Sequence, residues 1–283
     1  MRVPLHVVEA RREKLAALIE KHRYLPVGEL CRRLGVSEAT ARRDLNALAG
    51  RNKLKRTHGG ALAEFNERFP SFKERQNAGS PGKLQIARAA LRLIQPGGVY
   101  FFDSGTTVFG LAEAFRARPV SPATIVTSNL PVGEILSDIP DVQVFQLAGQ
   151  ILGRQSVLLG ETACKSLAFW NFDIAFLSAE AANHEGIWNT QEMIVTQQIV
   201  AIRRSAHVVY CLDSRKVGAK APFLLQKWSG TDFLLTNARK SKLAAAGITP
   251  HRVHLLPLSP KDPVPNLLAD PAPLRESARP YCQ

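Results

Sequence analysis

The stretch that decides the fold is VGELCRRLGVSEATARRDLNALAGRNKLKRTHGGAL, residues 27–62. Its first part predicts a short helix, because Val27 and Leu30 recur at helical spacing on one face. That helix is expected to end at Gly35, since glycine adopts the positive φ that a tight turn requires. Ser37 is a favourable N-cap for the next helix. Two helices joined by so short a turn predict a helix-turn-helix.

A stripe of apolar residues sets the buried side of the second helix in this pair. Ala41, Leu45 and Leu48 occur at positions i, i+4 and i+7, which is typical of a helix that packs one face on a core. An amphipathic pattern over residues 8–22 predicts another helix before the pair. Residues 52–62 are too few and too rich in glycine for a further helix, so we expect a basic hairpin, or wing.

The opposite side of the second helix carries the residues that we expect to meet DNA. In a helix-turn-helix the N-terminal half of this helix enters the major groove, which places Thr40 and Arg43 at base edges or adjacent phosphates. Ser37, Glu38 and Arg42 are expected near the groove wall. The wing adds sequence-independent contacts to the flanking backbone through four basic residues. These residues are Lys53, Lys55, Arg56 and His58.

The distribution of charge favours the same interpretation. The chain of 283 residues has a formal net charge of +13, and residues 1–60 hold 14 Lys or Arg against 6 Asp or Glu. A polyanion is therefore expected to meet the N-terminal part of the chain. On charge alone, a solvated basic face is an equal alternative, and a three-helix bundle that contacts another protein is a further one. The salt dependence of DNA retention separates these alternatives.

Residues 27–62 resemble the signature of the DeoR family, in which V-S-x-x-T-hydrophobic-R-R-D-L is followed by a wing that ends in R-x-H-G-G-A. Two positions depart from it, since Ala41 replaces a larger aliphatic residue and Asn52 replaces a glycine. The resemblance implies a DNA-binding transcriptional regulator that acts on a double-stranded operator. The matching residues are Val36, Ser37, Thr40, Arg42, Arg43, Asp44, Leu45, Arg56, His58, Gly59, Gly60 and Ala61.

Beyond residue 82 the pattern changes to apolar strands that alternate with helices, which predicts an α/β domain with a largely parallel sheet. Strands are expected at 99–102, 124–127, 142–147, 174–178, 207–212 and 233–235, and helices at 83–94, 107–117, 130–138, 160–169 and 190–205. The expected domains are a winged helix-turn-helix over 1–63, a linker over 64–81, an effector-binding α/β domain over 82–257 and a mobile proline-rich tail over 258–283.

Two strand-to-helix loops in this domain carry the small polar residues that are typical of phosphate sites, although such residues are also ordinary N-caps. The domain resembles the C-terminal sensor of the DeoR family, which is Rossmann-like, is similar in fold to ribose-5-phosphate isomerase and binds phosphorylated sugars or polyols. The resemblance implies the following effector contacts. They are Asp103, Ser104, Gly105, Thr106, Thr107, Thr127, Ser128, Asn129 and Lys216, with Arg154 as an additional anion partner of lower rank.

Three departures from the family pattern bear on the ligand. Ala148 stands in place of a glycine, the run 178–180 (Ser-Ala-Glu) replaces a glycine-rich turn, and Arg215 stands in place of a small residue. A bulkier rim and the extra carboxylate of Glu180 are expected to change which sugar fits. Loss of effector binding is the alternative outcome.

The main alternative function is a sugar-phosphate isomerase-like enzyme with an appended DNA-binding domain. Such an enzyme needs a positioned carboxylate base, and at the corresponding place Glu180 stands without an obvious acidic partner. We therefore expect no enzymatic activity. A protein whose two halves both bind other proteins is a third possibility, which the cationic helix disfavours.

The remaining composition bears on compartment and assembly. Cys31, Cys164, Cys211 and Cys282 form no C-x-x-C pair, so we expect free thiols in a reducing cytoplasm, with no metal and no cofactor. The apolar stretch at the start is too short for a signal peptide, and no run approaches the roughly 20 residues of a membrane span. One small helix-turn-helix binds few base pairs, so we expect a homo-oligomer, a dimer or a tetramer. The linker is expected to convey effector binding to the DNA-binding domain.

Overall fold

The computed structural model describes residues 4–22, 24–49, 54–57, 60–63 and 70–269. The chain forms two compact units, Met1–Pro70 and Ser71–Gln283. Three of the four cysteines are free thiols, and the fourth, Cys282, lies outside the described residues. Within the described ranges, no helix is long and apolar enough to cross a membrane.

The first unit packs three helices around a small apolar core. Leu15, Leu30 and Leu45 come from different helices and have no solvent exposure. The third helix starts after Ser37, whose Oγ accepts a hydrogen bond from the Thr40 N–H at 3.3 Å. The wing is an antiparallel hairpin, and its second strand also pairs with a short strand that precedes the second helix. The elements are α1 (Leu5–His22), β1 (Tyr24–Pro26), α2 (Val27–Leu34), α3 (Glu38–Ala49), β2 (Leu54–Thr57) and β3 (Gly60–Ala63).

The second unit is an α/β domain, as the sequence predicts. Its helices are α4 (Phe72–Asn77), α5 (Ser80–Leu91), α6 (Thr106–Ala117), α7 (Leu130–Leu136), α8 (Glu161–Ala168), α9 (Glu192–Arg203) and α10 (Lys240–Ala245). Its strands are β4 (Val99–Phe102), β5 (Ala123–Thr127), β6 (Val142–Gln146), β7 (Gln150–Leu152), β8 (Val157–Leu159), β9 (Phe172–Leu177), β10 (Ala181–Asn183), β11 (Gly186–Asn189), β12 (Ser205–Leu212), β13 (Phe223–Lys227), β14 (Phe233–Thr236) and β15 (His254–Leu255).

The main sheet contains seven parallel strands with a core on each face. Its inner strands are largely apolar because both of their faces are covered. Neighbouring residues of β4 point to opposite faces, so that Tyr100 and Phe102 pack with Leu111 of α6. Phe101 packs in the second core with Leu167 of α8.

The strand order places a topological switch at the centre of the sheet. The order is β15-β14-β12-β9-β4-β5-β6. The chain runs outward from β4 through β5 to β6, and it then returns to β9 on the other side of β4. Adjacent connections leave β4 and β9 in opposite directions, which opens a crevice at the carboxyl ends of these two strands. Ligands of open α/β sheets bind at such a crevice.

Two expected segments differ from the prediction in their described parts, which are 70–81 of the linker and 258–269 of the tail; residues 64–69 and 270–283 lie outside the described residues. The expected linker at 64–81 includes helix α4, which Ser71 and Glu74 start with a reciprocal capping box and which Phe72 anchors in the core. The expected mobile tail includes Leu267, which is 5% exposed and packs on the same core. Composition indicated polar or proline-rich segments in both places, but a few large apolar side chains are enough to bring a segment onto the core.

Candidate nucleic-acid interface and effector site

The exposed side of α3 presents the predicted DNA-contacting residues. Arg43 is exposed and has no ion pair with any residue that the structure describes. Arg42 is exposed and forms an ion pair with Glu38 one turn earlier, at 2.5 Å between Nη2 and Oε1. Thr40 is half-buried, and its hydroxyl lies 3.0 Å from the Ser37 hydroxyl. Among the described residues, no carboxylate therefore neutralises Arg43.

Asp44 has a structural role, unlike the two arginines before it in the R-R-D-L run. Its side chain is buried, and its two oxygens accept hydrogen bonds from Nε of Arg11 at 2.6 Å and from Nε of Arg12 at 2.9 Å. Burial alone raises the pKa of the Asp44 carboxyl, but the hydrogen bonds from both arginines outweigh it and hold the pKa below its ordinary value. Asp44 thus fastens α3 to α1.

The wing is only partly described. Lys55 and Arg56 lie on β2, in register with Leu62 and Ala61 of β3. Lys53 and His58 lie outside the described residues. Backbone pairing places a hairpin directly after α3, which is the arrangement of a winged helix-turn-helix.

The loop after β4 meets the loop after β9 at the topological switch. Asp103 is 1% exposed, and its Oδ2 accepts hydrogen bonds from Ser178 N at 2.9 Å, from Ser178 Oγ at 2.7 Å and from Gln198 Nε2 at 2.9 Å. A Cβ at Gly105 would lie 1.8 Å from Ser178 Oγ, so the close approach of the two loops requires glycine there. Ser178 belongs to the turn in which the family pattern has glycine, and here its hydroxyl holds the loop carboxylate.

The second predicted loop, at the end of β5, is tied to the first. Thr127 Oγ1 donates to the Phe102 carbonyl at 2.7 Å, and Asn129 Nδ2 donates to the Ser104 carbonyl at 3.1 Å. Ser128 is fully buried, and its hydroxyl has no hydrogen-bond partner among the described residues. Thr127 and Asn129 therefore connect the two loops, while the hydrogen-bonding capacity of the Ser128 hydroxyl is unused among the described residues.

The N-terminus of α6 is flanked by a buried lysine. Thr106 and Thr107 are buried in the first turn of α6, and Lys83 Nζ donates to Thr106 Oγ1 at 2.9 Å. Burial, together with the charges of Lys216 and Arg215, lowers the pKa of Lys83 to about 8. A helix N-terminus and several cations thus converge on one point. Lys83 is not among the contacts predicted from the sequence, because a lysine within an amphipathic helix has no local feature that marks it as buried.

The remaining predicted residues lie at the border of this site. Lys216 Nζ donates to the Ala179 carbonyl and lies 3.2 Å from Oε1 of Glu180. The unusual carboxylate of Glu180 therefore has a lysine partner, and both side chains are half-buried. Arg154 lies on a 3-10 turn, and its Nη2 is 3.7 Å from Oε2 of Glu74 in α4.

A winged helix-turn-helix joined to an α/β domain with a ligand crevice defines a DNA-binding transcriptional regulator with its own sensor. Residues 11–67 match the family described as "DeoR-like helix-turn-helix domain", and residues 79–238 match the "DeoR C terminal sensor domain". The chain belongs to the DeoR family, as the sequence predicts.

Named relatives agree with this assignment. The chain is 28% identical over 255 residues to the HTH-type transcriptional regulator UlaR of Shigella sonnei, and equally to that of Escherichia coli O127:H6, covering 87% of this chain and all of each relative. These names support a regulator over an isomerase-like enzyme. Ribose 5 phosphate isomerase A from Neisseria gonorrhoeae is a remote structural neighbour, with 16% identity, a TM-score of 0.36, and coverage of 48% of this chain and 52% of the isomerase.

Proposed function

We propose that the protein is a repressor of a carbohydrate or polyol catabolic operon and that a phosphorylated sugar or polyol releases it from its operator. The observation that carries the proposal is the arrangement at the topological switch. There, the N-terminus of α6, the buried Lys83 and the bordering Lys216 converge beside loops rich in hydroxyl and amide groups.

The cationic part of the crevice suits a phosphate. The first backbone N–H groups of a helix have no partner within the helix and carry a partial positive charge, which stabilises an anion there. Lys83 adds a full charge in a buried setting, where its attraction to an anion is screened less than at the surface. We place the phosphate against residues 105–107, with Lys83 and Lys216 as its cations.

The neutral part of the crevice suits the hydroxyl groups of a sugar or polyol. Asp103 Oδ2 is held by three donors, whereas among the described residues Oδ1 receives a hydrogen bond only from the Ser104 hydroxyl, at 3.4 Å. A fixed carboxylate oxygen accepts from a ligand hydroxyl but repels a phosphate. The buried Ser128 hydroxyl offers a further donor or acceptor. A ligand with an anionic end and a hydroxyl-bearing body satisfies both parts.

For DNA binding, we propose that Thr40 and Arg43 contact base edges. Ser37, Glu38 and Arg42 lie near the groove wall, and the wing cations contact the flanking backbone. The ion pair between Arg42 and Glu38 is exposed, so its exchange for a phosphate contact costs little. Two copies, or two pairs, bind a two-fold or repeated operator.

The test uses the full chain and DNA sites selected from a random library by the protein itself. Fluorescence anisotropy then measures affinity for a selected site while sugar phosphates, polyol phosphates and their unphosphorylated counterparts are added singly. We expect tight, strongly salt-dependent binding that one phosphorylated compound weakens and its unphosphorylated counterpart does not. Affinity that barely changes between low and moderate salt contradicts the DNA part, and a panel without any effective phosphate contradicts the effector part.

A further inference from the structure

Helix α4 is held by cations of the effector site. Lys83 Nζ, which donates to Thr106 at the N-terminus of α6, also donates to the backbone carbonyl of Arg75 in α4. Arg215 Nη2 donates to the carbonyl of Ala78, directly after α4, at 2.8 Å. The same lysine therefore serves both α6, where we place the phosphate, and α4.

The turn after α4 is built around the Arg215 side chain. Gly79 has a φ of +75°, and a Cβ there would lie 2.0 Å from Arg215 Nη2. The guanidinium is oriented by Asp213, whose Oδ1 lies 2.7 Å from Arg215 Nε. Burial alone raises the pKa of the Asp213 carboxyl, but hydrogen bonds from Arg215 outweigh it and keep the pKa below its ordinary value. The Asp213–Arg215 pair thus forms a fixed hold on the end of α4.

A phosphate has an energetic advantage over the carbonyl that Lys83 now binds. The Lys83 ammonium is attracted to the full negative charge of a phosphate, whereas a carbonyl carries no net charge. The charges of Lys216, Arg215 and Arg75 crowd Lys83, and Asp213 offsets this crowding in part. An anion at the N-terminus of α6 relieves that crowding. It therefore draws the Lys83 ammonium towards α6 and away from the Arg75 carbonyl.

We propose that an anionic effector and helix α4 compete for Lys83, so that effector binding loosens α4, the first described helix after Pro70, and weakens DNA binding through it. The proposal rests on the proposed function, and the switch that it adds is the exchange of Lys83 between α4 and the effector. Arg215 is a positioning residue that does not touch the effector: it favours the docked form of α4. Because coupling is reciprocal, weakening this hold lowers operator affinity and raises effector affinity by a related factor.

The first test is Arg215→Met in the full chain, with Arg239→Met, an exposed arginine at the start of α10, as the matched control. Without any effector, we expect faster amide hydrogen exchange over residues 72–79 and weaker binding to a selected operator, about 5-fold or more. We expect inorganic phosphate to bind more tightly than to the unaltered chain. Operator affinity like that of the control overturns the proposal, as does weaker phosphate binding, which would make Arg215 a ligand contact.

The second test measures exchange over residues 72–79 as inorganic phosphate is added, with chloride at equal ionic strength as the control. We expect phosphate to accelerate exchange in the unaltered chain. In Lys83→Met, exchange should already be fast and phosphate should add nothing. If a sugar phosphate releases the operator while this exchange stays unchanged, the competition is wrong and the proposed function stands. If no phosphate compound binds, the proposed function fails with it.

A separate observation concerns the edge strand β6. It is the last strand on one side of the main sheet. Residues 142–153 contain no charged residue and no proline. Beside it lies an exposed aromatic group, because Phe145 is 43% exposed, Phe169 is 88% exposed, and the Trp170 ring lies 4.7 Å from that of Phe145. Edge strands of monomers usually carry charges or prolines that prevent pairing, and β6 has neither.

We infer that the β6 edge pairs antiparallel with β6 of a second copy of this chain. In a two-fold contact the strand pairs with a copy of itself, so a charge on this short strand would lie close to the same charge on the partner strand. A neutral strand avoids that repulsion, and the aromatic group becomes covered. The inference supplies the contact that the expected homo-oligomer needs.

The test compares Gln143→Lys and Gln143→Glu, which place opposite charges at an exposed position of β6, by light scattering after size-exclusion chromatography. Gln85→Lys, at an exposed position of α5, is the matched control. We expect the control to keep the oligomer, each β6 variant alone to lower its mass, and an equimolar mixture of the two to restore it. An unaltered chain that is monomeric, or a Gln143→Lys chain with the control's mass, overturns the inference.

Discussion

The carboxylate of Asp44 on α3 lies 2.6 Å from Nε of Arg11 on α1, and this pair fixes the DNA-binding helix from its buried side. The side chain of Asp44 is 3% exposed, whereas that of Arg11 is 19% exposed. The carboxylate is therefore the partner that loses most when the pair is broken.

We expect Asp44→Ala to lower the free energy of unfolding of the first unit by about 1.5–3 kcal/mol, since two charge-assisted hydrogen bonds are lost. The matched change Glu38→Gln should cost about 0.3–0.5 kcal/mol, because its ion pair is exposed. Denaturant unfolding, monitored by hydrogen exchange in α1 and α3, measures the change in free energy of unfolding for both variants. Equal costs for the two changes would contradict a structural role for Asp44.

The Asp44 pair also predicts a pH dependence. The pKa of Asp44 is lower in the folded chain than its ordinary value, so its contribution to stability is present above that ordinary value and is lost as pH falls through the lowered pKa. The first unit should therefore lose stability in acid, and Asp44→Asn should lose less over the same range. An unchanged acid profile in the variant would exclude this carboxylate as the cause.

Arg43→Ala should remove about 1–3 kcal/mol of binding to a selected operator, because Arg43 is exposed, has no ion pair among the described residues and can contact a base. Lys55→Ala is the comparison. Loss of a wing lysine that contacts the DNA backbone should weaken binding to all sequences alike and reduce the salt slope by about 1. Anisotropy against selected and scrambled DNA separates the two. A uniform loss for Arg43→Ala would make Arg43 a backbone contact.

Lys216→Ala should keep operator binding and lose the response to the sugar phosphate. The suitable control is Lys220→Ala, which removes a nearby lysine that pairs with Glu185 and lies over the Trp188 ring. Both variants are titrated with effector on preformed complexes with DNA. A normal response in Lys216→Ala would show that the effector site is assigned wrongly.

Effector affinity should fall as pH rises through about 8. Burial and nearby cations give Lys83 a pKa of about 8, and an anion binds its protonated form, so complex formation above neutrality takes up a proton. Asp213, Arg75, Arg215 and Lys216 also act electrostatically on this ammonium. Calorimetry in buffers of different ionisation enthalpy measures the uptake. Lys83→Arg should bind without it, and uptake that persists there would point to Lys216.

Sequence periodicity predicts most of this fold because its main elements have strong local patterns. The run Val99–Phe102 is apolar throughout and is a central strand, and the Ala41, Leu45 and Leu48 stripe is the buried face of α3. The small sheets formed by β7 with β8 and by β10, β11 and β13 have strands of only three to five residues, which is too short for periodicity.

The predicted site residues have different parts in the structure. A motif indicates which loops meet. Only the packed structure shows that the side chains of Thr127 and Asn129 donate hydrogen bonds to backbone carbonyls, while that of Ser128 does not. Lys83 was missed for the same reason, because its burial depends on how its helix packs against α4 and α6. Asp44 had a detectable feature, since it lies within the apolar stripe of α3 at i+3 from Ala41.

The contact between Asp103 and Ser178 joins positions 75 residues apart. Ribosomal synthesis proceeds from the N-terminus, and domains generally fold as units in that order. The DNA-binding unit is complete within the first 70 residues, whereas the ligand crevice cannot exist until β9 has joined β4. A newly made chain therefore passes through a period in which its DNA-binding unit can already be folded while its ligand crevice has not yet formed.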